Sequence, residues 1–144
     1  PPESMDSDGK NDIRAIHTRS GHKIVFNDSD DKPSILIVDK TKENSIFIDS
    51  ANNKMEIKVK GDLNIEVGGK LTIQAKQDIS AETKANLEIK ATGSGNLETK
   101  QALTVKSGMG VTVEGSTQAE VKAPQVSVNG SGMTEVKGGL VKIN

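Results

Sequence analysis

From about Met55 to Asn144 apolar and polar residues alternate, and the alternation restarts every eight residues. The first, third and fifth positions of the opening octads read Leu63-x-Ile65-x-Val67, Leu71-x-Ile73-x-Ala75, Ile79-x-Ala81-x-Thr83 and Leu87-x-Ile89-x-Ala91. The register continues through Gly95-x-Leu97-x-Thr99, Leu103-x-Val105-x-Ser107, Val111-x-Val113-x-Gly115 and Ala119-x-Val121-x-Ala123. One residue drops out near Pro124. Val126-x-Val128-x-Gly130 and Thr134-x-Val136-x-Gly138 then follow, and Val141-x-Ile143 closes the series. Successive side chains of an extended strand point to opposite faces. A fixed period held this long marks a repeat architecture. The pattern therefore predicts an all-β strand–corner–strand solenoid, and no window carries the helical period.

The third position is the most demanding. Its occupants Ile65, Ile73, Ala81, Ile89, Leu97, Val105, Val113, Val121, Val128 and Val136 are the candidate inner column. The fifth position shrinks along the chain from Val67 to Gly115, Gly130 and Gly138, as a crowded corner requires. Even positions are polar, and the column Glu82, Lys90, Glu98, Lys106, Glu114, Lys122 alternates in sign. Stacked, such residues would form cross-strand pairs worth ~0.2–1 kcal/mol each. One octad cannot close a turn, whereas three could enclose a triangular prism. Either one chain supplies all three sides, or three chains intertwine and each supplies one. Steps of one octad and of three both set Glu against Lys, so the pattern is compatible with both.

Upstream the period vanishes. Residues 1–12, PPESMDSDGKND, read as a linker or tail, while 13–54 read as a β-rich neck ahead of the repeats at 55–144. Strands are expected around Ile13–Ile16, Ile24–Phe26, Ile35–Val38 and Ile46–Ile48, bounded by Gly, Asn and Asp. The unbroken apolar run Ile35-Leu36-Ile37-Val38 predicts burial on both faces.

Composition narrows the class further. Only 33% of the 144 residues are hydrophobic and 1% aromatic, Phe26 and Phe47 being the whole supply. That is too little for an ordinary two-layer core, in which aromatic side chains dominate. Disorder pairs low hydrophobicity with high net charge, but here 19 basic residues nearly cancel 20 acidic ones. A net charge of −1 gives no long-range pull toward nucleic acid or a bilayer. The chain has no cysteine, and no apolar run is long enough to span a membrane as a helix.

The segment Ile13-Arg14-x-Ile16-x-Thr18-Arg19-Ser20-Gly21-His22-Lys23-Ile24-x-Phe26-x-Asp28 resembles the lead-in to the needle of VgrG-type spike proteins. Ile37-x-Asp39-Lys40, Ile46-x-Ile48-Asp49-Ser50 and Gly61-Asp62-Leu63-x-Ile65-x-Val67 are similar to the start of that family's β-helix, and the terminal Gly139–Asn144 to its tip. The resemblance spans roughly residues 13–144. It implies an intertwined trimeric β-helix, a triangular prism of octads on a short neck, with Ile65, Ile73, Ile89, Leu97, Val105, Val113, Val121, Val128 and Val136 in the trimer core. It further implies a membrane-piercing needle of a contractile injection machine: a type VI secretion system, an extracellular injection particle or a phage tail. Such a needle assembles in the bacterial cytoplasm and is delivered outside the cell. A PAAR-repeat cap would seat on Gly139, Leu140, Val141, Lys142, Ile143 and Asn144. Tube and baseplate proteins would engage N-terminal domains that precede the needle in the family, and the chain is expected to be a C-terminal fragment without a fused effector. Twelve rows from Met55 would span about 55 Å.

Catalytic, cofactor and metal chemistry find little footing. His17 and His22, the only histidines, would need further ligands to hold a metal, and neck packing or hydrogen bonding accounts for them. Asp28-Ser29-Asp30-Asp31 lacks the ligand spacing of a calcium loop and reads as a solvated turn. Gly93-Ser94-Gly95 and Ser107-Gly108-Met109-Gly110 precede no helix that would bind an anion, and read as corners. No Ser-His-acid or Cys-His set is visible. The chain is expected not to be an enzyme and to need no cofactor. The alternative is a single-chain β-helix that binds or cleaves polysaccharide, in the manner of an adhesin or tail fibre. The lack of Trp and Tyr platforms weighs against it.

Overall fold

The neck folds as an antiparallel meander. In the computed structural model, which describes residues 9–143, its strands are β1 (Ile13–His17), β2 (Lys23–Asn27), β3 (Ser34–Val38), β4 (Ser45–Asp49) and β5 (Lys54–Lys58), in the order β1-β2-β3-β4-β5. Residues 1–8 of the expected linker, and Asn144, lie outside the described residues. The chain divides into two units, Pro1–Ala81 and Glu82–Asn144. All secondary structure among the described residues is β, with no helix. The fifth strand takes in Met55 and Ile57, so the expected junction at 54/55 falls just inside β5.

Each hairpin is fixed by its turn. Between β1 and β2, Gly21 adopts φ 103° and donates its N–H to the Thr18 carbonyl at 3.0 Å. That backbone region is open to glycine and strained for most other residues. Between β3 and β4, Lys42 sits at φ 64° with its N–H 3.0 Å from the Asp39 carbonyl. Between β4 and β5, Asn53 supplies φ 52°, and Asp49 accepts from the Asn52 N–H at 3.1 Å. Asn tolerates the left-handed region through local hydrogen bonding. The acidic stretch after β2 is a turn as expected: Ser29 N–H bonds its own Asn27 side chain at 3.0 Å, and Asp28 pairs with Arg14.

The octads form no strand ladder and no helix, and are broken by regular bends. In the first unit the bends fall at 60–61, 68–69 and 76–77. In the second they fall at 84–85, 92–93, 100–101, 108–109, 116–117, 124, 131–132 and 139–140. The step is eight residues except from 124 to 131, where one residue is missing, as the alternation implied at Pro124. The bend lies one and two residues past the small fifth position. That position serves the bend in two ways. A Cβ on Gly115 would lie 2.3 Å from the Gln118 carbonyl oxygen, and one on Gly130 would lie 2.8 Å from that of Met133. Where the fifth residue bears a hydroxyl, it bonds the backbone of the bend. Thr83 Oγ1 accepts from Ala85 N–H at 3.1 Å, and Ser107 Oγ accepts from Met109 N–H at 3.3 Å.

Neither unit builds a core. No described residue is buried. The run Ile35–Val38, expected to be covered on both faces, is half-buried at Ile35, Leu36 and Val38 and exposed at Ile37, because the sheet is a single layer.

Candidate functional site

The surface left open is patterned. In the sheet register Ile16 faces Ile24, Ile24 faces Ile37, Ile37 faces Ile46, and Ile46 faces Ile57. One uninterrupted row of isoleucines therefore crosses all five strands. Two residues along each strand, on the same face, lies a second row: Arg14, Phe26, Ile35, Ile48 and Met55. The opposite face is mixed, with Val25, Leu36 and Phe47 beside Lys23, Asp49, Glu56 and Lys58. Over the isoleucine row lies an open groove of about 500 Å³, which Val59 and Leu63 prolong toward the first octad.

The octads carry the second pattern. The expected trimer-core residues Ile65, Ile73, Ile89, Leu97, Val105, Val113, Val121, Val128 and Val136 are 67% to 86% exposed. The large first-position residues from Leu63 to Val126 are 52% to 67% exposed, slightly better shielded by their own chain. Even positions share the other face. Lys122 pairs with Glu120 at 2.8 Å and Lys137 with Glu135 at 2.6 Å, each two residues apart along one segment. Lys90 likewise pairs with Glu88. In the single chain these ion pairs run along a segment rather than between octads. Such exposed pairs contribute little by themselves. Within each unit no octad pairs with another as a β-ladder.

No protein-family model matches the chain, and no curated protein matches its sequence. Its physical chemistry is the guide to its function.

At the junction between sheet and octads, polar groups fix the exit of the chain. Lys60 N–H donates to Asn44 Oδ1 at 3.0 Å, and the Lys60 ammonium pairs with Glu43. Asn44 in turn donates its Nδ2 to Asp39 Oδ2 at 3.0 Å and its N–H to Asp39 Oδ1 at 3.2 Å. On the next turn Lys40 N–H donates to His22 Nδ1 at 3.2 Å. Thr18 and His22 close their own turn, the His22 N–H reaching Thr18 Oγ1 at 3.0 Å. Of the two histidines, His22 is thus a hydrogen-bond acceptor between two turns. Among the described residues no three of His, Cys, Asp and Glu converge as a metal site.

Asp39 is the hub of this junction. The Thr41 hydroxyl, then the Asn44 side chain and backbone, outweigh partial desolvation and hold its carboxyl at about 2. An ordinary aspartate titrates near ~3.9. The depressed value means Asp39 stabilises the folded junction fully above the unfolded value, and that contribution is lost as pH falls through about 2. Acid titration followed by NMR at the Asn44 side-chain amide should therefore show a midpoint near 2. A midpoint at the ordinary aspartate value would detach Asp39 from the junction.

The isoleucine row was not singled out from the sequence. Its signal was present as at least one isoleucine in each of the five strands, but only the register brings them together.

Proposed function

We propose that this chain is the shaft of a membrane-piercing spike of a contractile injection machine, built as an intertwined homotrimer. The carrying observation is the inner column: a stripe of large apolar residues, spaced by regular bends, that the chain itself leaves 67% to 86% exposed. Stripes this long are stable only when covered. Three copies winding together offer each stripe two identical partners with the same period. The lack of octad pairing within either unit favours this over a single-chain solenoid, in which each octad would ladder with another of its own chain. The resemblance of the 13–28 segment to VgrG-type spikes supplies the machine.

Mechanically the arrangement suits axial load. A sheet closed around a prism has no lateral edges, and ladder hydrogen bonds then run close to the shaft axis. Load is shared among all rows, and three threaded chains must separate together before any can unfold. No reaction is required. In this reading the C-terminal end carries a PAAR-type cap through the target membrane, and the sheet end joins the tube and baseplate.

Light scattering on the purified chain tests the assembly. The expected molar mass is three times 15.2 kDa. A mass of one copy would remove the trimer and return the polysaccharide-binding solenoid, to be pursued by glycan binding and reducing-sugar release.

A further inference from the structure

A long repeat solves the problem of cover but creates a problem of register. If three identical octad arrays interleave, a slip of one octad sets Glu82 against a like charge, but a slip of two restores the alternating column. The third-position residues meet third-position residues in either case. Patterned strands without a unique mark are prone to such alternate pairings. The seven-residue step between the bends at 124 and 131 is one mark, placed far along the chain.

The sheet supplies another. Its isoleucines Ile16, Ile24, Ile37, Ile46 and Ile57 are spaced irregularly in sequence yet form one straight row in space. We propose that this isoleucine face packs against the same face of two further copies of the chain and fixes the axial register in which the octads interleave. The inference rests on the trimeric reading above and adds to it a face and a role.

Two observations select copies of this chain as the occupant. First, the groove does not end at the sheet. It runs from Ile57 past Val59 to Leu63, the first residue of the octad stripe, within one unit. Whatever covers Leu63 in an interleaved shaft is already adjacent to Ile57. Second, the row is left open along its length as the octad stripe is: Ile16 is 61%, Ile37 43% and Ile57 57% exposed, beside 60% at Leu63.

The test uses the full chain, which has no native cysteine. A spin label attached through Asn86→Cys, at an outward position, reports the distance between copies at one level of the shaft. With the native sheet a single narrow distance is expected. Adding Ile37→Glu should leave a trimer mass but spread the distances, with new components from copies displaced along the axis by about 10 Å, two rows at ~4.8 Å each. An unchanged narrow distance in that variant would overturn the proposal while leaving the trimer standing. Should Ile37→Glu fail to assemble, Ile37→Thr keeps the β-branched shape and carries the same reading. An independent readout is thiol alkylation of Ile37→Cys in the otherwise native trimer. We expect it to react at least 100-fold more slowly than Asn86→Cys. Equal rates in a trimer would remove the covered face alone. A single-copy mass for the unsubstituted chain would remove the trimer, and with it this proposal.

Discussion

Val113→Asp is expected to leave the chain at the mass of one copy, 15.2 kDa, where the proposed trimer of the unsubstituted chain has three times that mass. Val113 sits at the third position of its octad and is 82% exposed in the single chain, so nothing within one copy opposes the substitution. The cost arises only on assembly. Three carboxylates would then meet near one axis, and each carries an effective burial penalty of several kcal/mol even after relaxation. Together that is roughly 10 kcal/mol, comparable to the whole stability of an ordinary domain. Mutual repulsion of like charges adds to it. The carboxyls can escape by staying protonated, so assembly should return in part below about pH 4. Val113→Ala separates charge from packing: it should keep the trimer and lower only its resistance to heat. A heat-resistant trimer of Val113→Asp at neutral pH would place residue 113 on the outer face and reverse the assignment of the whole column.

How much of this was legible in the sequence depends on how the information is stored. The octads store it locally. Leu63, Ile65 and Val67 announce their alternation within five residues, and Gly115, Gly130 and the hydroxyl of Ser107 mark where the chain must bend. Even the missing residue after Pro124 is visible as a break in the count. The sheet stores its information across turns. Gly21 announces its turn, but Lys42 adopts a left-handed conformation that lysine gives no hint of. Without the lengths of those turns the pairing of Ile24 with Ile37, and of Ile46 with Ile57, has no local signature. Strand positions could be read, and their register could not. For the same reason Met55 and Ile57 looked like the start of the repeat, since one strand of a meander and one rung of a solenoid alternate alike. Burial was the least legible property. Ile35–Val38 has the composition of an interior strand, yet its cover must come from outside the single layer.

Removing residues 138–144 should abolish cap docking while leaving the shaft assembled. The last bend, at Gly139 and Leu140, leads into residues 141–143, and Leu140 and Ile143 are 77% and 91% exposed. In the proposed trimer, a row stacked on one side only would leave its strand edges open beside these apolar side chains, and we take the row after Gly139 for such a row. Such a surface suits a partner that lays its own backbone along the edge. Only the terminal row is lost in the truncated chain, so a trimer mass and a melting point within several degrees of the parent are expected. Affinity for a PAAR-repeat protein, measured by titration calorimetry, should fall at least 100-fold, or about 2.7 kcal/mol. Leu140→Asp with Ile143→Asp should do the same at full length, by placing charge on the apolar part of the end face. Undiminished binding by the truncated trimer would move the docking site off this end, leaving the shaft itself intact. Weak binding in both variants, with the trimer preserved, would tie the tip to its cap through these residues.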